Sequence, residues 1–596
     1  MKAWAPFAGC TIILLFPWLP GVSDSLVGAL NIGAAYALVG MSLVLLTGWT
    51  GLISLGHAAL VGIGGYLTGT ASVALGLGFP FSVVAAAASA AALGVLLGAS
   101  VLRVRGLYLA VVTLVFSWMA SEFLFRQSWF VSNDQIGPDA LGRSVALPRF
   151  DLTDRRIFFM FAWSVVAAVA FLFSNLRRSR TGRGFFAIRG SEMAAASLGI
   201  PVARFKLLAF GLSGAAAGLA GGLLMTDARV VTPDQFTFNR SLFFLAIAVI
   251  GGLRSLGGSI ASAILFAGMT EIFFRYPFLA RSIELISSLL LAVTLIVDPE
   301  GLAGFVNRFR KKDPDGPVTT TTDAELPPLR RQPTPGVPLL QASGVTVRFG
   351  GLTAVDDASL RVFDGEIVGL IGPNGAGKTT FFNAIAGYVV PTEGRIEAFG
   401  QDVTTASIHA RAQLGIARTF QHIQLFAGMT VRENLAVATH MHHETGPLQH
   451  ALNTRRWAAE EAAVAEAVTE AIDVFRLSEV ADRDISGLPF GVLRMVEIAR
   501  AAVTGFPLIM LDEPASGLDE RETDNLIAAL YRLRDSGRSM LLIEHDVRMV
   551  SQVCDQMTVL ERGKPIASGE PSKVLKDPLV VAAYLGEPHD AEVQPA

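Results

Sequence analysis

Cysteine is nearly missing from this 596-residue chain. Only Cys10 and Cys554 occur, far apart in sequence, and no disulfide framework or cysteine-based zinc site can be built from them. Charge is scarce as well. Only 17% of residues are Asp, Glu, Lys or Arg, and the net charge of −3 gives no electrostatic case for nucleic acid. The scarcity is uneven. Between Met1 and Ser174 the only lysine is Lys2, and apolar runs of membrane-spanning length follow one another. From about Leu340 onward charged residues return at the density of a soluble protein. The length alone calls for at least two domains, and the contrast divides the chain into a membrane half and a soluble half.

Crossing a bilayer core takes roughly 20 apolar residues. Candidate helices fall at about 4–20, 26–47, 52–72, 80–101, 106–125, 157–174, 206–226, 241–252, 257–274 and 282–298. The first resembles a signal peptide, but no small-residue cleavage pattern leads into a soluble domain, so a retained helix is expected. The eighth is short and bracketed by Gly251, Gly252, Gly257 and Gly258, which leaves a broken or re-entrant helix open. The segment 175–206 carries six arginines and Lys206, so positive-inside logic makes it cytoplasmic, together with the N-terminus. The loop 126–156, with five arginines of its own, opposes that assignment. His57 sits among small residues, where a satisfied packing histidine is a better reading than a ligand. Between Arg308 and Pro338 the chain turns polar, with a Thr319–Thr322 run and seven prolines from Pro314 onward. This is the composition of an extended or disordered tether. The expected domains are 1–306 in the membrane, 307–339 as linker, 340–587 as the soluble unit and 588–596 as a tail.

The soluble half carries the chemistry. Ile367–Ile371 reads as a buried strand and runs into Gly372, Pro373, Asn374, Gly375, Ala376, Gly377, Lys378, Thr379 and Thr380, a G-x-x-x-x-G-K-T loop followed by a helix. Glycines let backbone N–H groups close around phosphate oxygens, and the helix N-terminus adds a favourable dipole. In such a loop Lys378 meets the β- and γ-phosphates of ATP and Thr379 holds Mg²⁺. A second hydrophobic strand, Leu508–Leu511, ends in Asp512 and Glu513, suited to the metal and to polarising the attacking water. A third, Met540–Ile543, delivers His545 to reach the γ-phosphate. Phe349, ahead of two glycines, is a candidate to stack on adenine, with a core role as its competitor. The histidines at 440, 442, 443 and 450 lack the fixed helix spacing of a zinc site, and no metal is expected there.

This ordered set resembles the ATP-binding cassette of ABC transporters across about residues 340–586. Within that group it is most similar to the branched-chain amino acid ATP-binding subunits, through Arg418-Thr419-Phe420-Gln421, the insertion around 440–457 and the end Ala583–Glu587. The resemblance implies an α/β P-loop domain using ATP and Mg²⁺. Gln421 then links metal site to permease, Leu488 and Gly491 belong to the signature, and Ser516 and Asp519 belong to the loop after the catalytic strand. The signature departs from the usual Leu-Ser-Gly-Gly-Gln, reading Leu488-Pro489-Phe490-Gly491-Val492, which leaves two unequal ATP sites open.

The membrane half resembles the branched-chain amino acid ABC permeases through Gly48–Ala58, Arg105–Ala110, Thr232–Asp234, Gly251–Leu253, Asp298–Leu302 and the segment Ser179–Ile200. In that segment Glu192, Ala195 and Gly199 would form a short coupling helix with small residues for close seating in the ATPase, ended by Gly199. The resemblance implies an all-α permease of about ten helices in a bacterial inner membrane, its N-terminus, linker and ATPase cytoplasmic. It also implies a second permease and a second ATPase (or a second copy), an extracytoplasmic solute-binding protein, and import of branched-chain or other hydrophobic amino acids. Urea, short amides and other amino acids remain alternative cargoes. Export and a regulatory membrane-anchored ATPase are weaker readings, since neither explains the permease segments.

Overall fold

Leucine, alanine, valine and glycine fill the first half so densely that its membrane-length helices each hold an 18-residue apolar stretch with at most two charged residues, as expected of helices buried in lipid or in one another. A computed structural model describes residues 15–100, 102, 106–127, 154–228, 232–276, 283–298, 300–309, 326–332, 336–442 and 444–585. The chain divides into two compact units. One comprises residues 1–189, 203–313 and 447–453; the other comprises 190–202, 314–446 and 454–596.

In the first unit, six helices among the described residues are long and apolar enough to cross a bilayer: Asp24–Trp49, Phe81–Ser100, Tyr108–Arg126, Arg155–Arg178, Val202–Ala228 and Leu256–Phe273. Phe238–Gly251 and Leu285–Val297 are shorter apolar helices. The expected first span lies mostly outside the described residues. The expected span at 52–72 starts late, because the chain is irregular from Gly51 to Gly56 and helical only over His57–Ala74. The eighth span is a 14-residue helix ended by Gly252 at φ 102°. Asp24–Trp49 is the axis of the unit, with 94% of its apolar window buried.

Lipid tails are as apolar as leucine, so helices in a membrane gain little by burying leucine against each other and rely on close packing of small residues. That device is visible where His57–Ala74 crosses Val202–Ala228. A Cβ on Gly64 would strike the carbonyl of Gly218, and one on Gly221 would strike that of Val61. The same crossing holds His57, which is fully buried. Its Nδ1 lies 3.2 Å from Ser54 Oγ and its Nε2 lies 3.0 Å from Ser213 Oγ. Both ring nitrogens therefore have partners. The unit also contains the short helix Pro447–Ala451, where His450 Nδ1 lies 2.7 Å from Thr181 Oγ1 and Asn175 Nδ2 donates to Ala451 O at 2.9 Å.

The second unit is built on two sheets. β1 (Leu340–Phe349), β2 (Leu352–Val362), β4 (Glu393–Ala398) and β5 (Gln401–Asp402) form an antiparallel sheet in the order β2-β1-β4-β5. β3 (Ile367–Ile371), β6 (Ile416–Arg418), β7 (Leu508–Asp512), β8 (Ser539–Ile543), β9 (Gln556–Glu561) and β10 (Lys564–Gly569) form the other, ordered β10-β9-β3-β8-β7-β6. In the second sheet every pair is parallel except β9–β10. β3, β7 and β8 are buried at every position, which is why they read as unbroken apolar runs and not as alternating ones.

The tether differs from its expected character at its far end. Residues 310–325 lie outside the described residues, but Pro327–Arg331 is fastened to the second unit. Arg538, 1% exposed, donates from Nη2 to Pro327 O at 2.6 Å and to Ala502 O at 3.1 Å. Arg330 N donates to Gly505 O at 2.8 Å, and the Arg331 guanidinium stands 4.8 Å over the Phe399 ring. Proline-rich composition signals that a segment cannot build its own core, but does not say whether a neighbour supplies acceptors for it.

Candidate nucleotide site and its links

Ligands of open parallel sheets bind beyond the carboxyl ends of the strands. The phosphate loop follows β3, Gln421 follows β6, Glu513 follows β7 and His545 follows β8, so one sheet edge gathers all four. The helix Lys378–Ala386 starts directly from the loop. Gly377 has φ 89°, and a Cβ there would strike Ala354 O, so two independent constraints demand glycine. Gly375, at φ 81°, has open space around it and needs glycine for conformation alone. Lys378 Nζ donates to Gly372 O at 2.7 Å and to Pro373 O at 3.0 Å. Burial pulls its ammonium below the usual lysine range, against the opposing pull of Glu513.

Glu513 holds a left-handed backbone, φ 46°, which costs a non-glycine residue about 1–3 kcal/mol and marks functional sites. Its N–H bonds to Ile543 O at 3.0 Å and its carbonyl accepts from Ser516 N at 3.2 Å, so the neighbours fix it there. Gln421 Nε2 donates to Glu513 Oε2 at 3.0 Å, bringing together two residues that sequence placed 92 positions apart. Asp512 is paired with Arg418: Nη2 to Oδ2 is 2.9 Å, and both side chains are nearly buried, 7% and 4% exposed. The guanidinium is walled by the rings of Phe382, Tyr388 and Phe420, with centroids 4.8, 4.4 and 5.6 Å away. Burial pushes the Asp512 carboxyl up, and Arg418 counters it.

Thr379 is exposed in the first turn of the loop's helix, and Phe349 is half exposed at the end of β1. The His545 side chain is largely exposed, beside Glu544. Glu544 is a residue that motif reading passed over: fully buried, it accepts from Ala515 N at 2.7 Å and His545 N at 3.1 Å, tying β8 to the loop after β7. Asp519 caps the helix Glu520–Asp535 in a reciprocal box with Glu522. Leu488 is buried, while Gly491 opens the helix Phe490–Val503 beside the Glu522 carboxylate. Ser516 is half-buried. The hydroxyl, amide and carboxylate oxygens of Thr379, Gln421, Asp512 and Glu513 are the hard donors that suit Mg²⁺ alongside nucleotide phosphates.

The segment Glu192–Ser197 is a six-residue helix in the second unit, capped by Ser191 Oγ accepting from Ala194 N at 3.2 Å. It lies against the helix Ile408–Leu414 and β6. Ala194 and Ala195 are fully buried there. Gly199, at φ 77°, has Met441 where a Cβ would project, and Gly190 has Phe426 in the same relation. Among the histidines of the insertion, His442 Nε2 lies 2.8 Å from Thr504 O, and His443 is outside the described residues.

A phosphate loop, an acidic strand end and the Gln421 loop at one sheet edge, in a chain whose described residues also include six helices long and apolar enough to cross a bilayer, define an ATP-hydrolysing ABC transporter with its permease in the same chain. Residues 25–297 match the model of the branched-chain amino acid transport system permease component. Residues 355–516 match that of the ABC transporter, and residues 564–590 that of the branched-chain amino acid ATP-binding cassette transporter. The high-affinity branched-chain amino acid transport ATP-binding protein BraF of Pseudomonas aeruginosa is 41% identical over 251 residues, 42% of this chain and 98% of BraF. The lipopolysaccharide export system ATP-binding protein LptB of Haemophilus influenzae is 36% identical over 249 residues, 42% of this chain and 98% of LptB. A nucleotide-free ATP-binding cassette from an ABC transporter, known from its crystal structure, is 32% identical over 42% of this chain and all of its own, with a TM-score of 0.37. The chain belongs to the branched-chain amino acid ABC transporter family, with permease and ATP-binding components in one polypeptide.

Proposed function

We propose that this chain is one half of an importer that carries branched-chain or other hydrophobic amino acids across a bacterial inner membrane at the expense of ATP. The observation that supports this reading is the likeness of residues 25–297 to the branched-chain amino acid permease component, because the cassette alone is similar both to a branched-chain amino acid transport protein and to a lipopolysaccharide export protein. ATP and Mg²⁺ would lie at the sheet edge. Lys378 and the loop amides would neutralise phosphate charge, Thr379, Asp512 and Gln421 would supply the metal's oxygen partners, and Glu513 would orient the attacking water, with His545 at the γ-phosphate. Bound Mg²⁺ would offset the charge that develops on the phosphates. Gln421, held by Glu513, would report the state of that site to the seat of Glu192–Gly199, whose close fit at Ala195 and Gly199 suits a coupling helix. The signature at Leu488 and Gly491, with Ser516 and Asp519 beside it, would face a second cassette. A second permease and ATPase (or a second copy) and an extracytoplasmic binding protein would complete the assembly, with the N-terminus, linker and cassette cytoplasmic.

The test is uptake of labelled leucine, and separately of urea, into proteoliposomes holding the full transporter, with and without its binding protein. Leucine uptake that depends on ATP and on the binding protein is expected. Urea uptake alone, or efflux, would overturn the assignment. Glu513→Gln should slow hydrolysis by roughly 10²–10⁴ with ATP binding intact. Lys378→Ala should weaken nucleotide binding itself.

A further inference from the structure

The helix Phe490–Val503 carries Arg494, Glu497 and Arg500 three residues apart, on one face. All three are inside the protein, exposed by 2%, 0% and 2%. Arg494 Nη1 bonds to Glu497 Oε2 at 2.8 Å, and Arg500 Nη2 lies 4.0 Å from Glu497 Oε1. A buried cluster of this kind does not stabilise by default, since apolar residues of similar volume often do as well or better. What distinguishes this one is where its remaining hydrogen bonds go. Arg494 donates to Phe420 O at 3.0 Å and Gln421 O at 3.1 Å, and Arg500 donates to Gln424 O at 2.8 Å. Glu497 Oε1 accepts from Phe420 N and Gln424 N, each at 3.4 Å. Five bonds thus grip the main chain of the irregular segment 420–424, which has no ladder of its own to fix it. At one end of the cluster the Arg494 guanidinium stands 5.7 Å over the Phe490 ring of the signature. At the other, Arg500 stands 4.9 Å over Phe426, the ring that meets Gly190.

We infer that Arg494, Glu497 and Arg500 are positioning residues that make the signature helix and the Gln421 loop one rigid body, so that the signature end and the Glu192–Gly199 seat respond together to nucleotide. This rests on the proposed role of Gln421 at the metal site. Neither arginine nor the glutamate touches substrate; each acts through the main chain it holds.

Hydrogen–deuterium exchange of the full chain, with and without Mg·ATP, tests it. In the wild type, ATP should slow exchange in peptides covering 419–426, 488–494 and 190–199 together. In Glu497→Gln, which keeps the shape but removes the charge between the two arginines, ATP should still slow 419–426, while the change at 488–494 and 190–199 is lost. Arg494→Lys keeps the charge and loses part of the fork. It should show the same separation in weaker form, and it serves if Glu497→Gln does not fold. A lowered melting temperature with all three segments still responding together would mean that the cluster is only structural, and would overturn the inference. So would a wild type in which 419–426 responds and 488–494 does not. A wild type in which ATP binds and leaves even 419–426 unchanged would refute the Gln421 reading itself, and this inference with it.

Discussion

Replacing Arg418 by methionine removes the cation from a buried pair while roughly keeping its volume. Asp512 then stays in a nearly dry site with no opposite charge in place of Arg418 Nη2, which stood 2.9 Å away. Breaking a buried pair from one side costs about 3–5 kcal/mol, and the lost guanidinium–ring contacts add up to about 2 when desolvated. The carboxyl limits the damage by taking a proton. Its value is already raised by burial in the native protein, and losing Arg418 raises it further. A carboxyl whose folded value lies above its unfolded value contributes stability that is complete below the unfolded value. That contribution is lost as pH rises through the folded one. The gap between wild type and Arg418→Met should therefore be widest at high pH, where Asp512 is ionised in both, and should narrow as the pH falls and the variant's carboxyl takes a proton. For a unit of roughly 250 residues, the resulting 3–7 kcal/mol corresponds to a fall of about 6–28 °C in melting temperature. The assay is calorimetry of the full chain in detergent, with the cassette transition identified by its upward shift with Mg·ADP. Mg²⁺-dependent ATP hydrolysis in the variant should be weakest at low pH, where Asp512 carries a proton and cannot serve the metal. A gap that does not change with pH would refute the argument, because it would mean that the Asp512 charge is not what Arg418 compensates.

Ala195→Glu would bury an unpaired carboxylate in the seat against Ile408–Leu414, so uptake should be abolished while ATP hydrolysis persists; uptake at wild-type level would remove Ala195 from coupling. Replacing 314–325 by Gly/Ser of equal length should leave transport nearly unchanged, whereas the same exchange over 327–332 should lower cassette stability by about 1–3 kcal/mol, because Arg331 leaves the Phe399 ring and a flexible segment no longer holds the main-chain carbonyl of residue 327 against Arg538. Equal effects of the two exchanges would contradict this. Gly221→Val should prevent His57–Ala74 and Val202–Ala228 from closing, read as loss of folded protein in detergent extracts, while Gly268→Val, where a Cβ meets open space, should be tolerated.

Where function depends on local chemistry, the sequence was legible. The run Gly372–Thr380, the buried strands ending at Ile371, Asp512 and Ile543, and the capped helix at Glu192 all follow from residue type and spacing within a few positions. Residues that act across long separations were not legible. Arg418 could be recognised only as part of a motif, because nothing local says that its partner is Asp512, 94 positions away. Glu544 looked like the neighbour of a histidine, and its bond to Ala515 N depends on how β8 lies beside β7. The left-handed backbone of Glu513 has no sequence signal at all, since glycine or asparagine is what that conformation ordinarily selects. In the membrane half, hydropathy marked ten spans, whereas six helices among the described residues are long and apolar enough to cross a bilayer, and it misplaced the start of His57–Ala74, because irregular backbone packed inside protein can be as apolar as the helix that follows it.

The grip of Arg538 on Pro327 bears on where the ATP-binding part of the chain begins. A join between domains is ordinarily neutral ground, where residues can be added or cut without consequence. Here the joining segment has become part of the cassette's own fold. An ATP-binding half made separately would need to begin before Pro327, because a start at Leu340 would strip a buried guanidinium of an acceptor. Carrying both components in one polypeptide also fixes their ratio within the chain: each permease domain is made with one cassette attached.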